Sequence, residues 1–169
     1  MADDPVSLRV LKAMTAALNE ITPENGYASD FAGRVFRGRI RFGPSDPIPM
    51  LCILESPIPL EQIPPPTDSS EGYGSWEIVI QGFVQDNKIN PTDPAHVALA
   101  DVRRRLAIER QKTSWERPEE GIFGMGRFVH KMYIGRGVVR PPDEASDKAY
   151  FWLQVTLDIA ENMADPYED

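Results

Sequence analysis

Three side chains in this sequence carry the kind of chemistry an active site uses: Cys52, His96 and His130. A thiolate served by an imidazole is a nucleophile, and thiolates together with imidazoles are metal ligands. The surroundings speak against both roles. Cys52 stands in the apolar run from Met50 to Leu54, where burial raises a thiol pKa, whereas a nucleophile needs it lowered. His96 opens a helical segment and His130 lies in a strand-like one, with no ligand spacing between them and no second cysteine. All three read as packing or surface residues. The glycine clusters GYG, GMG and GRG make no GxGxxG between a strand and a helix, and there is no Walker-type lysine motif. With 26 acids in 169 residues, spaced carboxylate pairs arise without implying a hydrolase. No catalytic residue, cofactor or metal is expected.

The charges are more informative. Formal net charge is −8, and the signs are segregated. Residues 43–96 hold many acids against Lys88 alone, and the chain from 154 onward carries Asp158, Glu161, Asp165, Glu168 and Asp169 with no base. Arginine concentrates in 34–41, 103–112 and 127–140. An acidic whole disfavours non-specific nucleic-acid binding, because the overall field repels the polymer. Arg37, Arg39 and Arg41 alternate along one expected strand face, where like charges repel unless solvent or acids separate them; an acidic neighbouring surface is the favoured complement. Arg103, Arg104 and Arg105 occupy consecutive helical positions spread over about 200° of the cylinder, so they make no one-sided stripe for reading phosphates. Solvated faces or salt bridges to a partner account for them.

These residues sit on elements that the periodicity predicts. Asp4 followed by Pro5 marks a helix start, and Leu11, Met14, Leu18 and Ile21 give an apolar stripe over about 17 residues, ending near Thr22-Pro23. From Arg34 the period switches to two, with Phe36, Ile40 and Phe42 on the face opposite the arginines. Met50 to Leu54 has no alternation and suits a strand covered on both sides, a meander being the simplest pairing. Residues 56–74 include Pro57, Pro59, Pro64, Pro65 and Pro66, which forbid helix and central strand, so a projecting loop is expected. Trp76 to Gln85 reads as a strand. Thr92 or Asp93 caps a second helix with Leu99, Val102 and Leu106 as its stripe and the arginines largely outside it. Residues 113–126 read as loop, 128–139 as a strand interrupted at GRG, and Ala149 to Ile159 as a long alternating strand.

The expected fold is therefore α+β, in the order α-β-β-β-α-β-β: a mixed or antiparallel sheet of about five strands carrying two main helices. It forms one domain over residues 1–169, with the Pro-rich loop at 56–74 and an acidic C-terminal tail at about 160–169. The 41% hydrophobic and 26% charged fractions are ordinary for a folded domain. A single cysteine, the two acids in the opening MADDPVSLRV and the lack of an apolar run of ~20 residues point to a reducing, cytoplasmic setting.

The succession LNEIT, NGYASDFAGRVFRGRIRF, DPIPMLCILE, WEIVIQGFVQD, DPAHVALADVRRRL and a last strand running to ADPY resembles the tail terminator, or tail completion, proteins of long-tailed bacteriophages, over about residues 8–167. The resemblance implies a small α+β protein without enzymatic activity or cofactor. It implies a hexameric ring in the virion, at the head-proximal end of the tail, that caps the tail tube, stops its polymerisation and offers a docking surface to the head and neck. The implied partners are further copies of the chain, the tube protein, a neck or head completion protein and, in a contractile tail, the sheath, with DNA passing through unread and no membrane involved. Arg37, Arg39, Arg41, Arg103, Arg104, Pro64, Pro65 and Pro66 are the candidate contact residues. A head completion or stopper protein is one alternative; a cytosolic small-molecule binding domain or enzyme is another.

Overall fold

The structure, a computed structural model, describes residues 4–55, 71–112 and 116–168. Helix α1 (Val6–Asn19) buries Val6, Val10, Met14, Ala17 and Leu18 along one side, as helical spacing requires. Its N-cap is Pro5 rather than the expected Asp4, whose carboxylate pairs with Lys12. After a short 3-10 turn, Pro23–Asn25, the chain turns back on the end of α1: the Phe31 N–H donates to the Ile21 carbonyl at 2.9 Å, and the Gly33 N–H to the Asn19 side chain at 3.0 Å.

Strand β1 (Val35–Arg37) is much shorter than the alternation from Arg34 to Phe42 predicts. Gly38 has φ of +64°, a left-handed conformation that glycine adopts readily, and it turns the chain out of the strand. Ile40, expected in the core, is 73% exposed as a result. The expected meander is also corrected. β1 pairs parallel with β2 (Met50–Glu55), Val35 opposite Leu51, because residues 38–49 form a return crossover of about the dozen residues that a parallel connection needs.

Strand β3 (Glu71–Val84) runs antiparallel to β2 and, over its whole length, to β6 (Ala149–Asn162). Residues 71–74 of the expected loop thus belong to a strand, and the remainder, 56–70, lies outside the described residues. Strands β4 (Val129–Ile134) and β5 (Val138–Arg140) both pair antiparallel with the other edge of β6. Ile134 faces Val155 and Val138 faces Trp152, so 135–137 inserts one extra residue, a bulge at the GRG interruption. The sheet order is β1-β2-β3-β6-β4, with β5 also on β6. The fold is α+β: a mixed six-stranded sheet with two helices over one face.

Helix α2 (Asp93–Arg110) starts at Thr92 with Pro94 in its first turn. Its buried apolar side, Ala95, Ala98, Leu99, Val102 and Leu106, meets Ile78, Ile80, Phe151, Leu153, Val155 and Leu157 from the sheet in one core cluster shared with α1. Arg105 corrects the sequence reading, being 6% exposed and inside the packed side. Residues 116–126 are ordered as two 3-10 turns, Pro118–Glu120 and Ile122–Gly124, against α2. The acidic tail is likewise held: 160–162 completes β6, and the Pro166 carbonyl accepts the Val6 N–H at 2.9 Å.

Gly82 breaks the run Ile78, Ile80, Val84 at the centre of the core face. A Cβ there would lie 2.2 Å from the ring of Phe151, its fully buried neighbour on β6. Gly82→Ala is therefore expected to destabilise the fold by roughly 1–3 kcal/mol through overpacking. A urea midpoint equal to that of the wild type would show that the ring moves aside freely.

Candidate interface surfaces

The expected row of arginines does not share a strand face, because β1 ends at Arg37. Arg37 points to the helix side and donates from Nη1 to Thr15 Oγ1 of α1 at 2.8 Å. Arg39 points the other way. Its guanidinium lies 4.8 Å from the Phe36 ring centroid and 5.9 Å from that of Phe42, and it pairs with Asp46. Cation–π stacking and the ion pair bind the 38–49 loop over the second face of the sheet. Arg41 is exposed. Arg104 folds back on its own chain, donating to the Gly26 carbonyl at 2.7 Å and stacking 4.8 Å from the Tyr27 ring, whereas Arg103 projects outward. Pro64, Pro65 and Pro66 lie outside the described residues.

The helices leave the second sheet face open. At one end Met50, Phe83 and Tyr150 are buried beneath Phe36, Phe42 and Ile48 of the 35–49 segment. Beyond that cover the face is bare, carrying Trp152 at 45% exposure, Tyr133 at 52% and Val138 at 56%, with Leu54 and Val79 half-buried beside them. Gln154 and Thr156 separate the apolar side chains along β6. Such a face suits a protein partner better than bulk water.

A second loop, 141–148, flanks the same covered end. Asp143 fixes it by accepting the Ala145 N–H and the Tyr150 hydroxyl, each at 2.8 Å, and these bonds hold its carboxyl below the usual carboxylate range. Burial, then the Asp143 hydrogen bond, raise the Tyr150 phenol above its ordinary value. The two loops wall a cleft of about 650 Å³ with an apolar floor.

Inside the molecule, the outstanding polar group is Arg105. Its Nε donates to the Ala17 carbonyl at 3.0 Å, and its Nη2 to Glu20 at 2.5 Å and to Glu109 at 2.6 Å. Glu109, 2% exposed, also accepts from Lys112 at 2.7 Å and from the Phe123 N–H at 3.1 Å. Nearby, Asp101 accepts the Ala28 and Ser29 N–H groups at 3.1 and 2.8 Å. Periodicity alone missed this row of α2.

Cys52 is fully buried in β2, and burial pushes its thiol up to about 11, with Arg39 opposing. The reading of a structural cysteine agrees with that environment. Among the described residues no group of three or more His, Cys, Asp or Glu side chains is placed to hold a metal ion. No helix of the described residues is long and apolar enough to cross a membrane. No protein-family model matches the chain, and no curated protein sequence matches it.

Two measurements probe these environments. With its thiol pKa near 11, native Cys52 is expected to resist aromatic disulfide reagents at pH 8 and to react at once when denaturant is added; fast labelling of the folded chain contradicts the assignment. Arg105→Ala leaves Glu109 buried without its main counter-charge and is expected to cost about 3–5 kcal/mol in chemical denaturation. A loss below about 1 kcal/mol would show that Lys112 and water compensate the carboxylate.

Proposed function

We propose that this chain is a tail terminator of a long-tailed bacteriophage, a non-enzymatic protein that assembles as a ring on the last layer of the tail tube. The ring stops tube growth and presents a docking surface to the neck of the filled head. The observation that carries the reading is the order in which the quoted segments fall on successive elements. LNEIT closes α1, NGYASD forms the turn held by Asp101 and Arg104, and DPIPMLCILE leads into β2. WEIVIQGFVQD occupies most of β3, DPAHVALADVRRRL begins α2, and the final strand runs on to ADPY against α1. With β4 and β5 taken as two halves of one bulged strand, the order reads α-β-β-β-α-β-β, as the periodicity predicts.

Three further features support the reading. The sheet is covered by helices on one face only, and the bare face carries Trp152, Tyr133 and Val138. Arg41 and Arg103 project from opposite parts of the molecule as contacts for the tube or the adjacent subunit. The net charge of −8 gives a ring of several copies a field through which a polyanion slides without sticking.

The deciding experiment adds the purified chain to polymerising tail tubes. Tubes are expected to stop at the length set by the tape measure and to carry a ring at one end in electron micrographs. Unchecked growth contradicts the proposal, and binding to the portal end of filled heads alone would favour a head completion protein. The segment 56–70 is expected to take part in the capping contact, since its five prolines restrict the unbound chain and reduce the entropy lost on ordering. Deleting 59–70 should abolish capping; normal capping by that variant would make the segment a linker.

A further inference from the structure

Two patches on opposite layers of the molecule are complementary. The first is the cleft between the 38–49 and 141–148 loops. Ile40, Phe42, Ile48 and Phe83 line its apolar part, and Ile40 stands almost free in solvent. Its rim is acidic. Asp46 and Asp143 are engaged by Arg39, Tyr150 and Arg140, whereas Glu144 has no ion pair among the described residues and Asp147 meets only Lys148, at 3.4 Å. An occupant of this cleft must bring apolar side chains and positive charge together.

The second patch is the outer face of α2. Val97 and Ile108 are exposed at 48% and 39%, with Ala100 between them on the same side of the helix. Arg104, on the same line, is turned onto Gly26 and Tyr27, and Arg103 and Arg110 lie along one side of the line, exposed and without an ion pair or hydrogen bond among the described residues. An amphipathic basic helix of this kind fits an apolar groove with an acidic rim.

Building on the ring reading, we infer that the outer face of α2 in one copy seats in the 38–49/141–148 cleft of the next. Val97 and Ile108 meet the apolar floor, and Arg103 and Arg110 meet Glu144 and Asp147. The two patches differ and lie on opposite layers, so the contact is head-to-tail, the kind that repeats from copy to copy and closes into a ring where the rotation permits.

Charge exchange tests this. One variant carries Arg103→Glu and Arg110→Glu; the other carries Glu144→Lys and Asp147→Lys. Each alone is expected to raise the concentration for half-assembly by about tenfold or more, read by analytical ultracentrifugation. Mixed one to one, they restore assembly, because the acidic helix of the first now faces the basic cleft of the second, while the untouched helix and cleft still match. Restoration also shows that both variants are folded. If either variant assembles alone like the wild type, or if the mixture stays dissociated, the interface is wrong while the ring reading stands. A wild-type chain that remains monomeric and does not cap tubes overturns the ring reading and this interface with it.

Discussion

Everything in the helical layer depends on one buried cation. Arg105 has been taken out of water on a helix whose neighbouring arginines are exposed, and desolvating such an ion costs several kcal/mol. It is tolerable there because its Nε and Nη2 meet three acceptors: the Ala17 carbonyl at the end of α1, Glu20 just past it, and Glu109 one turn along α2. Glu109 in turn accepts the Phe123 N–H of the 3-10 turn after α2. Three segments distant in sequence are thereby fixed at one point. Ordinary apolar contacts would allow α1 to slide along α2; a donor fork with fixed acceptors does not.

The same helix sets the turn that precedes β1. Asp101 takes two backbone N–H groups at Ala28 and Ser29, and Arg104 takes the Gly26 carbonyl, so the NGYAS loop is hung from α2 by its own backbone. That anchoring decides where β1 can start, and β1 is the edge strand from which the 38–49 crossover leaves. The crossover then covers Met50, Phe83 and Tyr150, held by Arg39 between two rings and one carboxylate. Side chains of α2 thus hold the turn from which the edge strand and its covering crossover leave.

Much of this was legible in the sequence. The stripes of α1 and α2 and the alternation of Ala149 to Ile159 come from burial on one side of a single element, and the residues so chosen are buried except Leu11 and Ile159, which are partly buried. What escaped was non-local. Nothing in RRR distinguishes Arg105 from its neighbours, because its burial depends on a carbonyl at Ala17. The alternation of Arg34 to Phe42 was misleading, since a period-two pattern states which way side chains would point in a strand but not whether a partner strand is there to extend it. β2 offers pairing to Val35–Arg37, and past Gly38 the chain turns away. The parallel sense of β1 and β2 was hidden for a related reason: a dozen residues rich in proline and glycine permit a hairpin-like excursion or a crossover equally well.

The candidate contact residues divide along the same physical line. Arg37, Arg39 and Arg104 each satisfy their own chain, by hydrogen bonds, stacking or an ion pair, and a residue so engaged has less to offer a partner. Arg41 and Arg103 are the members left pointing outward. Segregated charge in the sequence therefore does two kinds of work. Where an acceptor lies within reach in the fold, a charge is consumed in specifying that fold; where none does, it remains as surface field, and surface field steers association. An acidic chain that keeps outward arginines beside exposed Val97 and Ile108, and an acid-rimmed cleft on its other layer, has the two unlike patches that repeated head-to-tail association requires.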